Sequence, residues 1–465
     1  MKLGTIIACD KVIEQLEVVG ITDNSAKVQE GFVFVDIHNN PQYRADAVKN
    51  GAVALVVQNE NNFKNQIIVK NTVSAFSEMS AKWFNNPSDK LKLIGVTGTN
   101  GKTTITYLIK EILEASGKKV GVIGTIQNVI CGEAMPTANT TPNAFELNRL
   151  FALMVEKGCE YAIIEVSSHA LDMGRVEGFK FDTAVFTNLT QDHLDYHKDM
   201  DSYYLAKKKL FTMCNNAVIN VDNEYGNRLF KEIGCNKVSI SLENNADYIA
   251  KSLNLQPSFA EYKLLTDKID HIKVNIPGKF SVYNSLCAIA VADYLKIERE
   301  IVIKSLKEFC GVKGRAEVLE NTRDFTVIID YAHTPDGLKN ILKTFKECPK
   351  NRLIVLFGCG GDRDKTKRSA MGEIASIYAD YVIVTSDNPR TEDPKAIISD
   401  IVKGVLPTKP HKIIENRADA IKFALSIAEK DDIIVLAGKG HEAYQIIGTE
   451  KIKFDEREVV KQALS

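Results

Sequence analysis

A chain of 465 residues with 45% hydrophobic and 26% charged residues has the balance of an ordinary soluble globular protein, with length for about three domains. With a formal net charge of −1, nothing argues for a nucleic-acid or membrane surface, and no apolar run reaches transmembrane length. The nine cysteines are scattered without a C-x-x-C pair, and "MKLGTIIACDK" lacks a signal-peptide core, so a reducing cytoplasm is expected, with the thiols as small core residues.

The first predicted strands are "GFVFVDI" (31–37) and "AVALVVQ" (52–58), and the turn-rich "FNNPSDK" (84–90) reads as a linker. "LKLIGVT" (91–97) is a buried strand that runs straight into "GTNGKTT". Behind it Ile105, Leu108, Ile109, Ile112 and Leu113 repeat at helical spacing. A glycine-rich turn between strand and helix aims backbone N–H groups and the positive helix end at an anion. Lys102 supplies a point charge for β/γ-phosphates and Thr103 a hydroxyl for Mg²⁺. The loop is a variant of the usual G-x-x-x-x-G-K-[ST] pattern, because Val96 stands where glycine is expected and the glycines fall at 95 and 98.

"YAIIEVSS", "DTAVFTN" and "NAVINVDN" alternate with helical stretches, which predicts a mainly parallel α/β sheet with ligands at the carboxyl ends of its strands. Glu165 ends the first of these, where a carboxylate holds the Mg²⁺ that bridges nucleotide phosphates. "SSHALDMGRV" places Ser167, Ser168, His169 and Arg175 in one loop, but no G-x-S-x-G elbow supports a hydrolase. Asp192, His193, Asp195 and His197 lack the spacing of a zinc site and read either as hard ligands for Mg²⁺ or Mn²⁺ or as a polar loop. The three lysines of "YYLAKKKLF" read, from spacing alone, as a solvated helix face. A second break falls near "CGVKGRAEV" (310–318), after which four apolar strands each end in a polar loop: "DYAHTPD", "GCGGDRDK", "TSDNPR" and "AGKGHE". Asp330, His333, Arg363, Arg390, Lys439, His441 and Glu442 would then share one sheet edge, and the arginines point to a carboxylate or phosphate ligand.

Taken in order, "GTNGKTT", "NTTP", "EVSSHAL", "TNLTQDHLDYH", "GRAEV", "DYAHTPD", "GGDRDK", "DNPR" and "GKGHE" resemble the Mur ligases, in the branch that adds meso-diaminopimelate, over essentially the whole chain. The resemblance implies three α/β domains: residues 1–88 for the UDP end of the substrate, a P-loop-type ATPase domain at 89–315 and a Rossmann-like domain at 316–465 for the amino acid. It implies ATP-dependent amide formation between UDP-N-acetylmuramoyl-L-Ala-D-Glu and meso-diaminopimelate through an acyl phosphate, by a cytoplasmic monomer. Lys102, Glu165, His193 and Lys207 would be catalytic, with Thr103, Glu165, His193 and Lys207 around Mg²⁺. Lys207 matches the lysine that this family carbamylates with CO₂ (N6-carboxylysine), which reverses the solvated-face reading for that one lysine. ATP would be held by Gly98, Thr99, Asn100, Gly101, Lys102, Thr103, Thr104, Asn284, Arg315, Asp330 and His333. The UDP-dipeptide would meet Ser25, Asn139, Thr140, Thr141, Ser167 and Arg175. The amino acid would meet Arg363, Asp387, Asn388, Pro389, Arg390, Gly438 and Glu442, with Arg390 choosing a diamino acid that carries a second carboxylate. Ala26, Met173 and Ser281 stand where this family more often has arginine, glutamine and asparagine. Competing readings are meso-lanthionine as the amino acid, a folylpolyglutamate synthase-like ligase, and a non-catalytic nucleotide-binding protein.

Overall fold

The two apolar runs at the head of the chain become β2 of a four-stranded sheet and its neighbour β3. Its members β1 (Gly20–Thr22), β2 (Phe32–Val35), β3 (Ala54–Val57) and β4 (Gln66–Ile68) lie parallel in chain order. Successive side chains leave a strand on opposite faces. Val33, Val35 and Val56 therefore pack with Phe76 and Met79 of helix Thr72–Trp83, while Phe34, Leu55 and Val57 pack with Ala47 of helix Pro41–Lys49. Burial on both faces is why these strands read as unbroken apolar runs rather than as alternation.

The computed structural model describes residues 1–60 and 62–465, in two compact units. Met1–Ile240 with Ile289–Glu298 forms one, and Ser241–Ala288 with Arg299–Ser465 the other. Beside its first sheet, the first unit carries β5 (Lys92–Thr97), β6 (Val120–Ile123), β7 (Asn128–Ile130), β8 (Glu133–Met135), β9 (Tyr161–Glu165), β10 (Phe181–Phe186), β11 (Cys214–Asn220) and β12 (Asn236–Ser241). Their order is β12-β11-β10-β5-β9-β6-β7-β8. All neighbours are parallel as far as β6, and β7 and β8 are antiparallel additions. The expected mainly parallel sheet is thus present. Parallel pairing brings the carboxyl ends of β5, β6, β9 and β10 to one edge. Helix Lys102–Ala115 buries Ile105, Leu108, Ile109, Ile112 and Leu113, the stripe its spacing predicts.

The second unit opens with an antiparallel meander, β13 (Tyr248–Leu255), β14 (Ala260–Leu265) and β15 (Ile269–Val274). The strands β16 (Glu317–Leu319), β17 (Thr326–Asp330), β18 (Leu353–Phe357), β19 (Tyr381–Val384), β20 (His411–Ile413) and β21 (Ile433–Ala437) follow. They pair in the order β16-β17-β21-β18-β19-β20, parallel except for β16. Ile328, Val355, Val382 and Val435 face one helical layer, and Val327, Ile354, Ile383 and Ile434 the other. A hairpin, β22 (Tyr444–Ile447) with β23 (Glu450–Lys453), follows the sheet. Neither the meander nor this hairpin was expected from the sequence. Among the described residues, no helix is long and apolar enough to cross a membrane.

Candidate functional site

β5 ends at Thr97 and the chain turns through Gly98 (φ +147°) and Gly101 (φ +89°) into the helix that begins at Lys102. Val96 lies in the strand, fully buried, so the turn starts at Gly98 and the missing glycine at 96 costs the loop nothing. A β-carbon on residue 98 would sit 1.9 Å from the Thr187 hydroxyl oxygen. The loop is tied down by the segment that follows β10: the Asn100 carbonyl accepts from Thr187 (2.6 Å) and Asn188 (3.2 Å), and the Thr99 amide donates to the Asn188 carbonyl (2.9 Å). Lys102 Nζ donates to the carbonyls of Gly98 and Thr99, both at 2.9 Å. Gly98→Ala is expected to impose strain on the order of 1–3 kcal/mol and to weaken ATP binding about tenfold or more, measured by calorimetry. Unchanged affinity would mean that the turn tolerates a side chain.

Glu165 ends β9 beside this loop and is fully buried. Its carboxylate accepts from the Thr103 hydroxyl (2.9 Å), the Thr125 hydroxyl (2.9 Å) and the Thr125 amide (3.0 Å). Gly124 leaves room for it, since a β-carbon there would fall 2.2 Å from Oε1. A buried carboxylate touching a threonine hydroxyl at the mouth of a phosphate-type loop is a set of hard oxygen donors, which fits Mg²⁺. Thr125, at the end of β6, was not anticipated; its signal was only a Gly-Thr step after an apolar run.

The lysine run divides cleanly. Lys208 and Lys209 pair with Glu232 (2.7 Å) and Asp172 (3.1 Å) toward solvent, as a polar helix face should. Lys207 is 1% exposed, donates to the Gly98 carbonyl (2.9 Å) and lies 4.7 Å from the centre of the Tyr203 ring. Burial, then the Lys102 charge, holds its amine well below the ordinary lysine range, against the smaller pull of Asp192. A neutral amine is the form that reacts with CO₂. The Tyr203 hydroxyl lies 3.2 Å from that of Thr99, so this one side chain spans loop and lysine.

The Asp-His segment resolves mostly into packing. His197 is buried, lies 2.9 Å from the Ser168 hydroxyl and stacks on Tyr203. The His169 ring meets His193 and Tyr196. Among the described residues no three His, Cys, Asp or Glu side chains converge as a metal cluster. His193 sits at φ +54° with Nε2 3.5 Å from Asp192, and burial lowers its pKa against Asp192.

Farther along the same unit a cleft of about 1230 Å³ is lined by Ser25, Ala26, Asn139, Met173 and Arg175, among others. Thr141 and Ser167 brace its wall. The Thr141 hydroxyl donates to the Glu165 carbonyl (2.8 Å), the Ser167 amide donates back to that hydroxyl (3.0 Å), and Arg175 donates to the Thr141 carbonyl (2.9 Å). The Thr140 hydroxyl lies 3.1 Å from that of Thr125, which links the cleft to the Glu165 site. Met173 contributes its sulfur to Arg175 at 3.6 Å.

In the second unit the carboxyl ends of β17, β18, β19 and β21 gather a second group. The Asp330 carboxylate accepts from the amides of Ala316 (2.7 Å) and Ala332 (2.8 Å); burial raises its pKa, with Arg315 opposing. The Arg315 guanidinium lies over the Tyr331 ring, which also meets His333 and His441. Asn284 is buried in helix Lys279–Tyr294, and Ser281 of that helix is buried with its hydroxyl on the Pro277 carbonyl (2.6 Å). After β19 come Asp387, Asn388, Pro389 and Arg390. Arg390 has φ +51° and donates to the Gly361 carbonyl (2.7 Å). Arg363 is exposed on the neighbouring loop, its Cγ 3.9 Å from the place a β-carbon of Gly360 would take. Gly438 (φ +114°) approaches Asp387, and Asn388 donates to Glu442 (2.9 Å). Two arginines and two carboxylates on one edge suit a zwitterion with more than one acid group.

The family description "Mur ligase middle domain" matches residues 96–292 and "Mur ligase, glutamate ligase domain" residues 314–440. A UDP-N-acetylmuramoyl-L-alanyl-D-glutamate--2,6-diaminopimelate ligase from Caldanaerobacter subterraneus subsp. tengcongensis is 46% identical over 97% of this chain and 95% of its own. One from Bacillus cereus is 41% identical over 100% and 99%. The solved structure of a ligase of the same name superposes with a TM-score of 0.76 at 32% identity, covering 100% of this chain and 98% of that one.

Proposed function

The chain belongs to the Mur ligase family, and on that premise we propose that it joins meso-diaminopimelate to the D-Glu γ-carboxylate of UDP-N-acetylmuramoyl-L-Ala-D-Glu at the expense of ATP. The observation that carries the choice of amino acid is Arg390 in "DNPR", set on the same sheet edge as Asp387 and Glu442. The γ-carboxylate attacks the terminal phosphorus of ATP, ADP leaves, and the amine then displaces phosphate from the acyl phosphate through a tetrahedral intermediate. Both steps bring anions together, so the chain's work is to hold positive charge where negative charge collects. The loop from Gly98 to Thr104 cradles the phosphates, and Lys102 transfers its donors from the loop carbonyls to phosphate oxygens. Thr103 and Glu165 would hold one Mg²⁺, and His193 with the carbamate of Lys207 a second. When bound, these ions neutralise the phosphate charge. The chemistry of the donors supports this reading, as does the suppressed charge of a buried Lys207. The carbamate forms when the neutral amine attacks CO₂ and releases a proton.

Asn284, Arg315, Asp330 and His333 are assigned to the rest of ATP. Ser25, Asn139, Thr140, Thr141, Ser167 and Arg175 are assigned to the UDP-dipeptide, with the cleft they flank as support. Arg363, Asp387, Asn388, Pro389, Arg390, Gly438 and Glu442 are assigned to the diamino acid. We further assign functional segments at 1–88, 89–315 and 316–465, with the UDP-dipeptide residues drawn from the first two and the ATP residues from the last two. All nine cysteines are free thiols, in keeping with a cytoplasmic enzyme, and we assign it as a monomer. Phosphate release with ATP, UDP-dipeptide and each diamino acid in turn tests the reading. Release is expected with meso-diaminopimelate and not with lysine; release with lysine alone would overturn it.

A further inference from the structure

Lys439 is a fully buried ammonium at the centre of the second unit's site. Its Nζ donates to the Asn388 side-chain oxygen (3.0 Å) and the Tyr444 carbonyl (2.7 Å), and it lies 3.1 Å from Asp387 and 3.5 Å from Glu442. A buried cation is costly unless paired and hydrogen-bonded, and this one has both kinds of partner. Besides Glu442 on its own loop, its partners come from two other segments, the loop after β19 and the start of β22.

Those same segments hold Arg390. A non-glycine residue at φ +51° needs outside restraint. The restraint is the hairpin. The Arg390 amide donates to the Ile446 carbonyl (3.1 Å), the Gly448 amide donates to the Arg390 carbonyl (2.7 Å), and Arg390 bridges Ile447 in parallel. The Ile446 amide donates to the oxygen of Asn388 that Lys439 also grips (3.0 Å), and Gln445 donates to the Asp387 carbonyl (2.8 Å). The loop and the hairpin are therefore knotted at Asn388, and Lys439 is the charge in the knot.

We infer that Lys439 is a positioning residue that sets the Arg390 guanidinium and so fixes the preference for a diamino acid with two carboxylates. It offsets one of the two negative charges of Asp387 and Glu442, and the one that remains leaves that pair fit to receive a single substrate ammonium. The inference rests on the function proposed above. It assigns Lys439 no contact with the substrate.

The test compares meso-diaminopimelate with lysine in the wild type, in K439M and in Q445A, which loosens the knot without touching the ammonium. KM for diaminopimelate is expected to rise roughly 10- to 100-fold in K439M, by analogy with the loss of the outer partners that orient metal ligands. KM for ATP and for the UDP-dipeptide is expected to stay put, and the preference over lysine to fall with the diaminopimelate KM. Q445A is expected to move the same ratio in the same direction by less, and it alone carries the test should K439M not fold. Turnover lowered with every substrate and an unmoved ratio in Q445A, the mark of a general loss of structure, would overturn the inference. A wild type that accepts no diaminopimelate would overturn the functional reading itself, and this inference with it. A competent wild type whose preference survives in the variants would overturn this inference alone.

Discussion

Arg390→Ala is expected to cut the preference for meso-diaminopimelate over lysine by on the order of 10²–10³-fold, chiefly through KM for the former. Meso-diaminopimelate is lysine with one more carboxylate, so discrimination must come from a group that recognises that acid. A closed site built around such a contact rejects the analogue lacking it by about 10⁴-fold. Arg390 is half-buried, and water screens part of the pairing, so the smaller figure applies. Arg390→Lys is expected to recover only part of the loss, because an ammonium lacks the flat two-pronged fork. Arg363, exposed on its loop, is expected to matter less. Competition between the two amino acids in one reaction, with products separated by mass, measures the ratio directly. An unchanged ratio in Arg390→Ala would remove this residue from the selectivity.

Lys207→Ala is expected to lower kcat by on the order of 10²–10³-fold, the usual consequence of losing a fixed charge-stabilising group near the reacting atoms. The side chain is sealed against the Gly98 carbonyl and the Tyr203 ring, where an ammonium has little to offset its lost hydration. A neutral amine is the form that attacks CO₂, and the product would be an anion facing the Lys102 ammonium. With ¹³C-labelled bicarbonate the wild type is expected to give a carbamate carbon signal that Lys207→Ala lacks. A wild type without that signal, or a variant with full turnover, would refute the modification.

Much of this was readable from residue order because parallel α/β folding is a local code. An apolar run ending in polar residues says both that a strand is buried on two faces and where its carboxyl end lies. Glu165, Asp330 and Arg390 were found that way, whereas Asp387 came from the family resemblance. The phosphate-type loop was found despite Val96, because glycine is needed where the backbone meets Thr187 at Gly98 and turns left-handed at Gly101, and not within the strand. Lys207 shows the limit. Three adjacent lysines are alike on paper, and what separates them is which one points under the loop. Spacing gave the correct account of Lys208 and Lys209 and the wrong one of Lys207, which is buried, and only the family resemblance set that lysine apart. Thr125, Tyr203 and the knot at Asn388 were hidden for a related reason: each works by joining strands far apart in the chain. The hairpin β22–β23 is short, and half its residues are charged or polar, so it left no periodic signature.

That hairpin bears on how selectivity can be moved between enzymes. The backbone of Arg390 hangs from a segment encoded long after it, so exchanging the loop after β19 alone would install the right side chain on the wrong mounting. A transplant would have to carry loop and hairpin as one cassette, and natural drift in amino-acid choice should leave paired changes in both stretches.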